Sequence, residues 1–214
     1  MNAPPQDHIV FIVDDDRRIR ESLCELLSTY DLPAVAFATA AEYIAHAKPE
    51  APSCLVLDVE LPDINGLDLQ RQIAHGKHPP IVFITGHGDI PASVRAIKAG
   101  AVDFLTKPFR DEDLLRAIRA AIAQDRETRR RRNDIAELNG RLASLTPRER
   151  EVLPLVVSGL LNKQAAATLR ISEITLQIHR GNIMKKMDAA SFADLVRMAE
   201  ALAIPITHSR HADK

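Results

Sequence analysis

The chain has 214 residues, 46% hydrophobic and 27% charged, which is enough apolar material to bury cores and excludes a wholly disordered protein. Its net charge of −1 conceals a split, since residues 1–124 carry −6 and residues 125–214 carry +5, as two modules with different partners would. No apolar run approaches the roughly 20 residues of a membrane span and the start lacks a signal peptide's basic lead, so a cytoplasmic location and no membrane partner are expected.

Strand candidates at Ile9–Val13, Ala34–Phe37, 54–57, 81–84 and 102–105 alternate with helical patterns at Arg17–Thr29, 40–47, 66–75, 90–99 and from Asp111 onward. Three of the strands are near-continuous apolar runs, the pattern of strands covered on both faces. Five strands alternating with five helices predict a doubly wound, five-stranded parallel sheet over residues 1–124. Cys24 and Cys54 sit in apolar settings and read as reduced core thiols.

No proline falls between Pro108 and Pro147, so the helix starting at Asp111 is expected to run on as a linker over 125–144. Its middle, DRETRRRRND, is too polar to pack all round. Ile135, Leu138, Leu142 and Leu145 then recur at coiled-coil spacing, so the helix either pairs in a dimer or stands alone in solvent. The last module, 145–205, opens on Thr146, Pro147 and Glu149, a capping box with proline at the first helical position. Pro154 removes a backbone donor inside that helix and is expected to kink it. Helices over 163–169, Glu173–Met187 and 192–203 complete a small all-α module, and 206–214 reads as a frayed tail.

Asp14, Asp15 and Asp16 follow the first strand, Asp58 the third, Thr85 the fourth and Lys107 the fifth. Ligands of an open parallel sheet bind beyond the carboxyl ends of its strands, so carboxylates, a hydroxyl and an ammonium converge there. Clustered carboxylates suit a hard cation such as Mg²⁺. A carboxylate can also attack phosphorus to give an acyl phosphate, with Lys107 and Thr85 holding the phosphoryl oxygens. Taken singly, each acid reads rather as a turn or N-cap residue, but the set of four strand ends does not.

The motifs IVDDD, D-V-E-L-P-D-I-N-G from Asp58 to Gly66, T-G-H-G-D from Thr85 to Asp89, and Lys107-Pro108-Phe109 make residues 8–124 resemble the receiver domain of two-component response regulators, a flavodoxin-like fold. Spacings of 43 from Asp15 to Asp58, 27 to Thr85 and 22 more to Lys107 are jointly specific. The resemblance implies that Asp58 accepts phosphate from a histidine kinase, with Thr85 and Lys107 completing the site. It implies that Asp15, Asp58 and the backbone carbonyl of Glu60 bind Mg²⁺, with Asp14 acting largely through water. It further implies a cis peptide at Lys107-Pro108 and a switch pair of Thr85 and Phe104.

In the last module a short helix, a three-residue turn and Glu173–Met187 have helix-turn-helix proportions. Leu176, Ile183 and Met187 share one face of the second helix, opposite Ile174, Ile178, Gly181 and Lys185, with Thr175, Gln177 and Asn182 on the flanks. Two isoleucines on a polar face suit thymine methyls or a neighbouring domain. Lys163, Arg180 and Lys185 can donate to phosphates, while Gln177 and Ile178 can reach base edges. Residues 145–203, beginning LTPREREVL, resemble the LuxR-type DNA-binding domain, so the whole chain resembles a NarL/FixJ-type response regulator, closest to the FixJ side. Pro154, and Gln177 where many relatives carry lysine, depart from the pattern.

The implied partners are a sensor histidine kinase, double-stranded promoter DNA, a second copy on phosphorylation and RNA polymerase. The dimer face is expected over Val94, Ile97 and Lys98 through to Leu115. The expectation is a phosphorylation-switched transcription factor rather than an enzyme. The alternatives are a receiver acting through protein contacts alone and an aspartyl phosphohydrolase, which would want D-x-D where this chain has Asp58-Val59-Glu60.

Overall fold

A computed structural model describes residues 7–74, 76–86 and 90–205, in two compact units, Met1–Arg129 and Arg130–Lys214. The expected tail over 206–214, the last residue of the 66–75 helix and the His87 to Asp89 end of the T-G-H-G-D motif lie outside the described residues.

The first unit is built on five strands, β1 (Ile9–Val13), β2 (Ala34–Phe37), β3 (Ser53–Asp58), β4 (Ile81–Thr85) and β5 (Asp103–Thr106). They pair in parallel in the order β2-β1-β3-β4-β5. The apolar runs that look continuous in sequence resolve into two cores because successive side chains point to opposite faces. Val10, Ile12, Cys54, Val56, Val82 and Ile84 face one core; Ile9, Phe11, Val13, Leu55, Leu57, Ile81 and Phe83 face the other. Helices α1 (Arg17–Thr29) and α5 (Asp111–Ala143) cover the first core through Leu23, Leu27, Leu114, Leu115 and Ile118. Helices α2 (Ala40–Ala45), α3 (Gly66–Ile73) and α4 (Ile90–Lys98) cover the second through Tyr43, Leu69 and Ala96. Cys54 is buried and Cys24 half-buried in the first core, both free, and burial pushes both thiols up.

Two expectations change. Leu115 is 4% exposed inside the first core, so it cannot belong to a dimer face; the exposed apolar residues of α4 are Ile90, Val94 and Ile97. The first unit also runs past residue 124 to Arg129. Asp125, within what read as a solvated charge run, is buried. Its carboxylate accepts from the Ser53 backbone N–H at 2.8 Å, the Ser53 hydroxyl at 3.3 Å and Arg129 Nε at 2.7 Å, pinning α5 to the start of β3.

The second unit packs α6 (Pro147–Val157), α7 (Asn162–Leu169), α8 (Glu173–Met187) and α9 (Phe192–Ala201) around Val152, Leu153, Val156, Leu176, Ile183, Met187 and Leu195. The capping box at Thr146 and Glu149 is present, and α6 continues through Pro154 to Val157. Of the expected seam, Leu145 is buried in this core and Leu142 packs against it, while Ile135 stays exposed. The end of α5 thus supplies core to the second unit instead of a free coiled-coil stripe. Among the described residues no helix is long and apolar enough to cross a membrane.

Candidate functional site

Where β1 ends, Asp14 is fully buried, Asp15 is exposed, and Asp16 becomes the N-cap of α1 by accepting from the Arg18 N–H at 2.8 Å. Arg20 Nη1 donates to the backbone carbonyls of Asp14 and Asp15, both at 2.8 Å, and fixes the path of this turn. Nothing in the sequence pattern marked Arg20, one helical turn beyond the acids. Asp58 ends β3, with Oδ1 accepting from the Glu60 N–H at 2.9 Å. Gly66 opens α3 directly against it: a Cβ on Gly66 would lie 2.3 Å from the Asp58 carbonyl oxygen, so no larger residue fits.

Lys107 closes the arrangement. Its Nζ lies 2.6 Å from Asp14 Oδ2 and 2.6 Å from Asp58 Oδ2, and its N–H donates to the Thr85 carbonyl at 2.7 Å. The Lys107–Pro108 peptide is cis. Burial pushes the Asp14 carboxyl above the usual carboxylate range, against the opposing pull of Lys107. Burial draws the Lys107 ammonium down, but its bonds to the two carboxylates outweigh this and leave its pKa raised. The ammonium is thus a fixed positive charge clamped between two acids at neutral pH.

One oxygen from each of Asp14, Asp15 and Asp58 lies within 4.8 Å of the others, an all-oxygen donor set that suits a hard divalent cation. The cleft around them measures about 460 Å³ and is also lined by Glu60, Gly86 and Lys107. Thr85, at the end of β4, is 1% exposed. Phe104 on β5 is half-buried, its ring 6.0 Å from Phe83. The structure therefore brings Asp14, Asp15, Asp58 and Lys107 into one cleft, with Glu60 at its rim and Thr85 on the adjoining strand end.

On α8, Leu176, Ile183 and Met187 are buried as the periodicity requires. Ile174 and Ile178 are 72% and 59% exposed on a surface shared with Gln177, Gly181, Asn182 and Lys185; Lys163 on α7 is exposed as well. Thr175 is half-buried in the capped first turn, its hydroxyl 2.8 Å from that of Ser172. Arg180 is half-buried. Its guanidinium donates to Asn162 Oδ1 at 3.1 Å and stacks 4.7 Å from the Phe192 ring centre, joining α7, α8 and α9. Its angle on the helix puts it at the core edge. At the other end of α8, Lys186 reaches the buried Glu149 carboxylate at 2.7 Å.

Residues 10–119 match the family described as "Response regulator receiver domain", and residues 143–199 match "Bacterial regulatory proteins, luxR family". Nodulation protein W of Bradyrhizobium diazoefficiens is 52% identical over 94% of this chain and 89% of its own length. Transcriptional regulatory protein FixJ of Azorhizobium caulinodans is 42% identical over 91% of this chain and 93% of its own. Among solved structures, the response regulator StyR superposes with a TM-score of 0.79 at 44% identity, covering 91% of this chain and 98% of that one.

Proposed function

Since the chain belongs to the two-component response regulators that join a receiver domain to a luxR-family DNA-binding domain, we propose that phosphorylation of Asp58 by a sensor histidine kinase switches its binding to promoter DNA. The observation that carries this reading is the Lys107 ammonium bridging Asp14 and Asp58 in a cleft with a third carboxylate.

An Asp58 carboxylate oxygen attacks the phosphorus of a phosphohistidine. The new P–O bond forms as the P–N bond breaks, and its electron pair leaves with the imidazole. Lys107 exchanges its bond to Asp58 Oδ2 for one to a phosphoryl oxygen, and the Thr85 hydroxyl donates to another. Bound Mg²⁺ supplies charge neutralisation to the phosphoryl group. Asp15, Asp58 and the Glu60 carbonyl would hold it, with Asp14 contributing through water. Thr85 and Phe104 then shift together, and the chain forms a homodimer, with the exposed Ile90, Val94 and Ile97 of α4 as the apolar face available to it.

In the second unit, α8 enters the major groove. Lys163 and Lys185 donate to phosphates; Thr175, Gly181 and Asn182 line the approach. Gln177 and Ile178 meet base edges, glutamine suiting adenine and isoleucine a thymine methyl. Arg180 holds α8 through Asn162 and Phe192 and keeps further guanidinium N–H groups for a DNA phosphate. Two isoleucines exposed on an otherwise polar helix face favour this reading over a receiver that acts through protein contacts alone. A cytoplasmic location and contact with RNA polymerase follow from the same role.

The test is phosphoryl uptake from acetyl phosphate with Mg²⁺. Wild type is expected to be labelled, and Asp58→Asn to fold and remain unlabelled. Labelling of Asp58→Asn at the wild-type rate removes Asp58 from the role.

A further inference from the structure

The carboxylates of the acidic cleft are held in different ways. Asp14 is tied down through backbone and side chain: its N–H donates to the Phe37 carbonyl at 3.3 Å, Oδ1 accepts from the Asp16 N–H at 2.9 Å, and Oδ2 accepts from Lys107 at 2.6 Å. Asp58 ends a paired strand, and both of its carboxylate oxygens accept, from the Glu60 N–H and from Lys107. Asp15 has neither kind of support. It is exposed and lies between β1 and α1, outside both elements, and among the described residues its carboxylate accepts no hydrogen bond.

The Asp15 carboxylate therefore goes where its backbone puts it, and Arg20 holds that backbone. Nη1 of Arg20 reaches the carbonyls of Asp14 and Asp15 together, both at 2.8 Å. The Asp14 carbonyl belongs to the peptide before the Asp15 Cα, and the Asp15 carbonyl to the peptide after it. Each residue has only two soft backbone dihedrals, so bonds to both flanking peptides fix both of them, and with them the direction of the Asp15 Cβ. Arg20 is itself carried on a regular element, its N–H donating to the Asp16 carbonyl at 3.1 Å in the first turns of α1. Charge and geometry act in opposite directions here. A guanidinium near a dication site repels the cation, whereas a fixed Asp15 carboxylate attracts it.

We infer that Arg20 is a positioning residue of the acidic cleft, holding the exposed Asp15 carboxylate in place for a divalent cation through the two peptide groups that flank Asp15. It acts through Asp15 and is not a ligand, since a guanidinium has no acceptor to offer a cation. The inference rests on the reading of Asp15 and Asp58 as Mg²⁺ ligands given above.

The test is a double-mutant cycle in the full-length chain: wild type, Arg20→Met, Asp15→Asn and the two together. Mn²⁺ is the probe, its binding read from loss of the free-ion electron paramagnetic resonance signal, with Mg²⁺ as competitor. Methionine keeps an unbranched, helix-compatible side chain without the donors, and tyrosine fluorescence reports that each variant is folded. Arg20→Met is expected to bind Mn²⁺ about 10–100-fold more weakly, the range for losing a group that orients a metal ligand. Arg20→Lys, which returns an amine donor, should recover part of that loss. In the Asp15→Asn background Arg20→Met should have no further effect, an outcome that a general loosening of the fold would not give. Wild-type or tighter Mn²⁺ binding by Arg20→Met overturns the inference and leaves Asp58 as phosphoacceptor. An equal loss in the Asp15→Asn background overturns it too, since Arg20 would then act by another route. A wild type that binds no Mn²⁺ and is not displaced by Mg²⁺ overturns the cation reading itself, and this inference with it.

Discussion

Replacing Glu149 is expected to destabilise the second unit alone, by an amount that depends on pH. The Glu149 carboxylate is buried, accepts from the Thr146 N–H at 2.8 Å and from Lys186 at 2.7 Å, and its own N–H donates to the Thr146 hydroxyl at 3.3 Å. Glu149→Ala removes half of the capping box, worth about 1 kcal/mol. It also removes a charge-assisted bond worth about 1.5–3 kcal/mol in buried settings. Lys186 is 34% exposed and regains water when its partner goes, which discounts the second figure. A total loss of about 2 kcal/mol follows from these two contributions. Glu149→Gln keeps an acceptor for Thr146 and should cost about half of that. Although burial alone raises the Glu149 carboxyl, Lys186 and Thr146 bring it below its ordinary value. Its contribution is therefore fully present above the unfolded-state pKa and is lost as pH falls through the lower folded value. The gap between wild type and Glu149→Gln should be open at neutral pH and close in acid. Tyr30 and Tyr43 both lie in the first unit, so tyrosine fluorescence follows that unit while circular dichroism follows both. The transition seen only by dichroism should fall by about 4–8 °C per kcal/mol for a unit of this size. An unshifted transition, or a shift confined to the tyrosine signal, refutes the reasoning.

Other expectations follow from the same geometry. Asp125→Ala leaves the buried Ser53 N–H without its acceptor and should cost the first unit about 2–4 kcal/mol, read as an earlier tyrosine-fluorescence transition in urea; an unmoved midpoint refutes it. Gly66→Ala forces a methyl onto the Asp58 carbonyl and should slow phosphoryl uptake at least about tenfold or cost several kcal/mol of stability, so a variant normal in both contradicts the close approach. Gln177→Ala should relax one position of the motif selected from random DNA, by about 1–3 kcal/mol; an identical motif of identical strength would remove Gln177 as a reader.

The strands and the acidic cleft were legible because their signals are local. Four strand ends carry chemistry at positions that a parallel sheet must bring together, and β1 and β2 begin and end where the apolar runs do. Edges blurred where side chains alone decide: β3 gains Ser53 and Asp58 because backbone pairing continues past the apolar run. Asp125 looked like one more charge in a polar stretch, since burial of a carboxylate depends on a partner distant in sequence, Ser53. The leucine seam of α5 leaves pairing in a dimer and a solvated single helix both open in the sequence, because a heptad does not state which neighbour fills it. The neighbour, for Leu142 and Leu145, is the second unit's own core. Arg180 shows the same limit, as the partners Asn162 and Phe192 that hold its guanidinium come from other helices.

The central claim, that chemistry at Asp58 controls the DNA surface of α8, is tested most directly by promoter-fragment binding before and after treatment with acetyl phosphate and Mg²⁺, in wild type and Asp58→Asn side by side. Wild type should bind at least about tenfold more tightly after treatment, a coupling of about 1.4 kcal/mol, and Asp58→Asn should not respond. An equal gain in both, or none in a wild type shown to be phosphorylated, would contradict the account.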